Sequence, residues 1–319
     1  MIKTETNELT KNTLNLVLSN AYRIAKRASI GWALLDDANN LLIHSSVMAG
    51  TSPTKLANTV KEYAVRLNHL ILSVEPGTSY CDLQELTRHL ELSNCLKITV
   101  AYQMPQELRD TDWLQWVKDW EGDVDYAGYS GFAENLTAGI RSVLSVRRPW
   151  VSAVCASTME NQTLPLYNLQ HEFGFNVYLD NLVKQNSAIL FNQTQKKIIE
   201  QLPEINWAGQ AIDFYTAEES THIDTILKEC ARKQYYSVLL LCDPNKLSRY
   251  AEQNMVDEIY HHITITNSEL GNMVNTPEFL KLDNWTIISS DVVGNSIRMN
   301  IKRNDNIPKL DESLRNRLN

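Results

Sequence analysis

"SVEPGTSYCDLQEL", residues 73–86, sits between two readable elements, and its reading decides the fold. The run before it, His69 to Val74 ("HLILSV"), is short, continuous and apolar, which marks a buried strand. The run after it, "LQELTRHLELS" (83–93), has helical spacing. Glu75-Pro76-Gly77 therefore forms a turn that leads a strand into a helix. Strand, turn and helix in that order are the building step of an α/β sheet.

The same alternation extends outward in both directions. Leu14, Val17, Leu18, Ala21 and Ile24 recur at helical spacing within residues 7–26. "IGWALLDDANNLLIHSS" (30–46) reads as two strands around a turn supplied by Asp36, Asp37, Asn39 and Asn40. "TKLANTVKEYAVRL" (54–67) is a second helix, and "LKITVAY" (96–102) is the next strand. This β-β-α-β-α-β order predicts a three-layer α/β domain. Residues 105–146 read as helical and partly irregular, with the Trp residues of "DTDWLQWVKDWEGD" (110–123) serving as core anchors.

Arg147-Arg148-Pro149 breaks the pattern, because Pro disfavours helix at its own position and the one before it. A second α/β series follows. "WVSAVCAS", "SAILFN", "IDFYTA" and "SVLLLCD" are strands, "HIDTILKECARKQ" and "NKLSRYAEQNM" are helices, and "EIYHHITITNS" and "NWTIISSDVVGNSIRMNIKR" add late β structure. Two domains, 1–146 and 147–319, are expected. The polar tail from Asn304 reads as a frayed end.

Composition narrows the class of function. The chain has 319 residues, 43% of them apolar, enough for two cores. A net charge of −8 gives no electrostatic footprint for nucleic acid. No apolar run approaches the roughly 18 residues of a membrane span, and the first residues lack a signal-peptide core. Five cysteines, odd in number and without a C-x-x-C pair, fit reduced thiols. No nucleic-acid partner, no membrane and a cytoplasmic location are expected.

The order of landmarks resembles the bifunctional deaminase–reductase family of riboflavin biosynthesis. "IGWALLDD", "MAGTSP", "SVEPG", "LKITVAYQMP", "RRPWVSAVCASTMEN", "NSAILFN" and "MVDEIYHHIT" occur in the family's order at nearly its spacings. The resemblance implies a cytidine-deaminase-like three-layer domain followed by a dihydrofolate-reductase-like α/β domain. It also implies a zinc-dependent deamination of a pyrimidine ribosyl-phosphate, an NADPH-dependent opening of its ribose, and a homo-oligomer.

The chain departs from that family where the chemistry lies. A zinc deaminase uses one His, two Cys and a general acid/base Glu. Against the family pattern, His-Ala-Glu falls on Thr54-Lys55-Leu56, the first Cys on Gly77 and the second on Leu86. None of Thr54, Gly77 and Leu86 is an ordinary zinc ligand. In the reductase half, the substrate-side Lys falls on Val154, and Ser-Leu-Asp-Gly on Thr158, Met159, Glu160 and Asn161. The Gly-rich cofactor turns fall on Asn192, Gln193, Thr194 and Gln195, and on Cys242, Asp243 and Pro244. Side chains at former Gly positions block close backbone approach to a phosphate, Pro offers no N–H, and Asp adds negative charge. Neither zinc nor NADPH is expected.

Two readings follow. The first is a pseudoenzyme that binds a nucleotide-like or flavin-pathway ligand, or a protein partner, through two vestigial clefts. Thr54, Leu56, Glu75, Gly77, Cys81 and Leu86 mark one cleft; Val154, Thr158, Glu160, Asn192, Thr194, Cys242 and Asp243 mark the other. The second is a retooled enzyme acting, without zinc or NADPH, on a heterocyclic intermediate of a riboflavin-related or specialised-metabolite pathway, with Thr54, Glu75, Tyr80 and Cys81, or Thr158, Glu160 and His171, as its new groups. Each has a plainer role: Glu75 as a helix cap or acceptor of backbone N–H groups, Cys81 as a small buried side chain. His261 and His262 adjoin in a strand, point to opposite faces, and make a poor metal pair. No residue stands out as a catalytic group.

Overall fold

The computed structural model describes residues 8–24, 28–78, 80–128, 135–159, 162–172, 174–201, 206–207, 210–216, 220–264 and 284–304. The chain divides into two compact units, Met1–Arg148 and Pro149–Asn319. Local chemistry explains the break: Arg147 ends a helix in the left-handed conformation (φ 60°), and Pro149 follows two residues later. Among the described residues no helix is long and apolar enough to cross a membrane.

In the first unit, helix α1 (Glu8–Ile24) precedes strands β1 (Ser29–Leu35) and β2 (Leu41–Met48). Helix α2 (Lys55–Tyr63), β3 (His69–Val74), α3 (Leu83–Glu91) and β4 (Lys97–Tyr102) follow, then α4 (Thr111–Asp119), β5 (Asp123–Tyr126) and α5 (Ala138–Val146). The sheet order is β2-β1-β3-β4-β5. β1 runs antiparallel to β2 and β3, while β3, β4 and β5 are parallel.

Strand alternation places helices on both faces of this sheet. Gly31 of β1 faces α1, where a Cβ would sit 2.5 Å from the Val17 carbonyl oxygen. Only glycine permits that approach. Trp32, the next residue, turns to the other face, where Lys55 of α2 stands 5.8 Å from its ring centroid. The region 105–146 is not purely helical: β5 is a strand that completes the sheet beside β4.

The second unit is built on an eight-stranded sheet. Its strands are β6 (Trp150–Thr158), β7 (Thr163–Leu164), β8 (Ala188–Phe191), β11 (Asp213–Thr216), β12 (Ser237–Leu241), β13 (Glu258–Thr264), β14 (Trp285–Val293) and β15 (Ser296–Arg303). A two-stranded ribbon, β9 (Asn206–Trp207) with β10 (Gln210–Ala211), lies apart from it. The order β11-β8-β12-β6-β13-β15-β14 has five parallel strands and then two antiparallel ones, with β7 paired to β6.

The helices are α6 (Phe175–Lys184), α7 (Lys196–Gln201), α8 (Ser220–Arg232) and α9 (Pro244–Glu252). One face of the sheet packs Val151, Ala153, Val238, Leu240 and Ile259 against Leu227 of α8 and Leu247 and Tyr250 of α9. On the other face, Phe175 and Tyr178 of α6 meet His262 edge-on, each at 5.1 Å. His261 and His262 thus do point to opposite faces, and both are buried. Burial holds them in the neutral form, with pKa values lowered to about 4 and about 3.

Candidate functional site

The turn after β3 is organised by Glu75. Its N–H donates to the Tyr102 carbonyl at 3.0 Å, which extends the β3–β4 ladder by one step. Its side chain, 1% exposed, enters the unit and is met by four groups. Arg109 donates through Nη2 to Oε1 at 2.6 Å and through Nε to Oε2 at 3.0 Å, a two-point fork. Tyr126 of β5 donates its hydroxyl to Oε1 at 2.7 Å. The Trp113 indole N–H reaches Oε1 at 3.2 Å, and the Met104 N–H reaches Oε2 at 3.2 Å.

Glu75 is therefore not a helix cap. It does accept a backbone N–H, but its main partner is the partly buried Arg109 guanidinium. Asp82 is the cap of α3, accepting the Glu85 N–H at 3.0 Å. Burial and the Glu75 carboxylate push the Tyr126 hydroxyl up to about 12, so it stays a donor at neutral pH.

Asp110 stitches the same turn to α4. Its carboxylate caps the helix by accepting the Asp112 and Trp113 N–H groups, and its second oxygen takes the Thr78 N–H at 3.1 Å. Between these segments lies a cleft of about 510 Å³, lined by Gly77, Thr78, Tyr80, Arg109, Asp110 and Ile140 among others. Trp113 itself is fully buried, and its ring begins a stack: Trp113 on Trp116 at 5.2 Å, Trp116 on Trp120 at 5.0 Å.

The residues that the resemblance sets at the metal positions do not make a zinc-binding donor set. Thr54 is exposed at the start of α2, and its hydroxyl makes no cap. Leu56 and Leu86 are core residues with no exposed surface. A Cβ on Gly77 would meet Asp110 Cβ at 3.4 Å with the carboxylate at 3.5 Å, so a thiolate there would face a negative charge. Cys81 is buried with its thiol toward the Gly77 carbonyl at 3.7 Å. Burial, with Asp110 and Asp82 adding to it, pushes that thiol up to about 12, away from the thiolate that metals bind. His69 lies at the opposite end of β3, about 17 Å of strand away, and burial lowers its pKa to about 4. Among the described residues no group of three or more His, Cys, Asp or Glu is placed to hold a metal ion.

In the second unit, β8 and β12 are adjacent parallel strands in the register Leu241↔Phe191, so the turns after them lie side by side. Open α/β sheets bind ligands at such strand ends. Here the two turns bind each other. The Asp243 carboxylate takes the Asn192 amide on Oδ2 at 2.8 Å, the Thr194 hydroxyl on Oδ2 at 2.7 Å and the Gln195 amide on Oδ1 at 2.8 Å. Pro244 opens α9, and the Asp243 side chain does not cap that helix.

Cys242 is buried in the core beside these groups, and burial raises its thiol well above the ordinary range. Val154 is a fully buried centre of β6, paired with Leu241 and Tyr260. Thr158 is buried at the end of that strand, its Oγ1 accepting the Gln162 N–H at 3.2 Å. His171 is exposed at the end of a 3-10 turn, its ring against the Gln170 amide. Glu160 lies outside the described residues.

Arg109 and Tyr126 carry no signal in the sequence: each acts through Glu75, a partner distant in the chain, and neither belongs to a local pattern.

Solved structures of two-domain deaminase/reductase proteins share this succession of two α/β units and are similar to the chain over nearly its whole length. The first is a diaminohydroxyphosphoribosylaminopyrimidine deaminase/5-amino-6-(5-phosphoribosylamino)uracil reductase from Thermotoga maritima, with TM-score 0.70 and 10% identity over 92% of this chain and 99% of that one. RibD of Acinetobacter baumannii, in its forms 1 and 2, gives TM-scores of 0.64 and 0.66 at 14% and 13% identity, over 93% of this chain and 99% of that one. Identities this low establish a shared fold. No protein-family model matches the sequence, and no curated protein does.

Proposed function

We propose that this chain is a catalytically degenerate relative of the riboflavin-pathway deaminase–reductases. It keeps both folds, runs neither the zinc-dependent deamination nor the NADPH-dependent reduction, and uses the cleft beside Glu75 to bind a small nucleotide-like ligand. The observation that carries the reading is the coordinated replacement at both strand ends. Where a metal-activated water would need ligands, the first unit has an exposed threonine, a glycine and a core leucine, and a second core leucine stands at the position of the general acid/base. Where a dinucleotide phosphate would need free N–H groups and glycines, the second unit has its own carboxylate, already hydrogen-bonded.

The cleft of about 510 Å³ is within the usual range for a small-molecule site, and it combines apolar walls (Tyr80, Ile140) with Thr78, Arg109 and Asp110. A homo-oligomer is part of the proposal through the likeness in fold. Thermal unfolding with NADPH, zinc, ribosylated pyrimidine phosphates, flavins and purine nucleotides tests it. A ligand that binds only the folded state raises the midpoint by mass action, by about 2.7 kcal/mol at a hundredfold excess over its Kd. A rise with a pyrimidine or flavin ligand alone is expected. A rise with zinc or NADPH overturns the proposal.

A further inference from the structure

We infer that Asn192, Thr194 and Gln195 form a receptor for a small oxyanion, and that the chain fills this receptor with its own Asp243 carboxylate. Three donors from one four-residue segment converge on two oxygens at 2.7–2.8 Å. The donors are fixed before the anion arrives. Asn192 and Gln195 have no exposed surface, and the Leu166 N–H holds the Gln195 carbonyl oxygen at 2.9 Å, which turns the Gln195 amide nitrogen toward Asp243. The Thr194 hydroxyl lies between Asp243 Oδ2 at 2.7 Å and the Asn192 amide oxygen at 2.8 Å, with one hydrogen to share between them, and its oxygen stands 3.4 Å from the Gln195 amide nitrogen.

The placement of Asp243 is that of a ligand and not of a helix cap. Asp82 and Asp110, at the corresponding positions before α3 and α4, accept N–H groups of their own helices. Asp243 stands before α9 and leaves that role unfilled, spending its oxygens on the turn after the neighbouring strand. All three donors are neutral. Amide and hydroxyl dipoles make these three contacts, as in sites that recognise carboxylate or phosphate oxygens through neutral donors. Because the anion is tethered, its effective concentration exceeds that of any free competitor. The intact protein should therefore ignore added oxyanions, and the receptor should show itself when the tethered carboxylate is removed.

The test is chemical rescue in the full-length Asp243→Ala protein. Its thermal midpoint is compared with that of the unaltered chain. Sodium formate, acetate and inorganic phosphate are then titrated against sodium chloride at matched ionic strength. The expected result is a lowered midpoint in D243A, at least half restored by millimolar formate and not by chloride, with no response in the unaltered chain. A D243A protein that melts with the unaltered one, or that formate, acetate and phosphate raise no more than chloride, overturns the inference.

If D243A does not fold, Asp243→Asn keeps the side-chain volume while replacing one acceptor with a donor. Hydrogen exchange should then quicken at the Asn192 and Gln195 amides, and unchanged protection there counts against the receptor. The inference rests on the proposal that no dinucleotide occupies these turns. NADPH binding to the unaltered chain would overturn that proposal, whereas missing rescue with NADPH still ignored overturns the receptor alone.

Discussion

Glu75 and Asp243 hold equivalent posts in the two units. Each follows a central strand directly or by one residue, and each gathers donors from a distant part of the chain, Arg109 being 34 residues from Glu75 and Asn192 being 51 from Asp243. They differ in how the charge is met. Glu75 is 1% exposed and faces a guanidinium that is itself 16% exposed, so the pair is close to neutral and almost dry. Asp243 is half-buried, and the donors on its carboxylate among the described residues are two amides and a hydroxyl. The difference follows burial: an ion fully removed from water needs a counter-charge, while one still partly solvated can be held by dipoles. The first unit has made its strand end into core, and the second has kept an anion at its surface.

The largest expected effect comes from breaking the charged member. Arg109→Ala should cost about 3–5 kcal/mol in denaturant unfolding, because it strands a buried carboxylate. A loss under about 1 kcal/mol would show that Tyr126, Trp113 and Met104 suffice, and the two posts would then be alike. Acid should act in the other direction and loosen the second unit first. A histidine with a depressed folded pKa binds its proton more readily when unfolded, so its stability is present above about 6.5 and lost as pH falls toward the folded value. The second unit holds two such residues, His261 at about 4 and His262 at about 3, and the first unit holds His69 at about 4. Between pH 6 and pH 4.5 the second unit should lose up to about 2.7 kcal/mol per pH unit and the first about half that. Peptide-resolved hydrogen exchange would separate them; equal slopes would remove the contrast.

Trp113→Phe takes one donor from Glu75 and keeps most of the ring, for an expected loss of about 1.5–3 kcal/mol. The smallest effect sharpens the comparison most. Serine is a good cap, so Asp82→Ser should stay within about 0.5 kcal/mol of the unaltered chain. Asp243→Ser should lose about 1–2 kcal/mol, because its shorter hydroxyl cannot serve three donors. Equal responses would mean that Asp243 is an ordinary helix-starting residue.

Much of the framework was legible. "HLILSV", "LKITVAY", "SAILFN" and "SVLLLCD" are strands, and the helix over residues 7–26 forms at Glu8–Ile24. These segments are buried, so their hydrophobic pattern and their structure have one cause. β5 was not legible. Its sequence, Asp-Val-Asp-Tyr, is polar and short, and pairing with β4 recruits it, with Lys97 meeting Asp125 at 2.8 Å. At the sites, the residue types at positions 54, 77, 86, 154 and 192 could be read directly. Their partners could not, because Arg109 and Asn192 reach their carboxylates only after the strands have been set side by side.

The Trp113–Trp116–Trp120 stack gives the first unit a property of its own. Three indoles spaced 5.2 and 5.0 Å apart, with planes inclined by 28° and 21°, are close enough for their excited states to mix. Absorbed light is then shared along α4, and the transitions split into a couplet in circular dichroism that isolated tryptophans do not give. Since the first ring of the stack is also bound to Glu75, that couplet is an optical gauge of the Glu75 cluster, readable in the intact chain without a label.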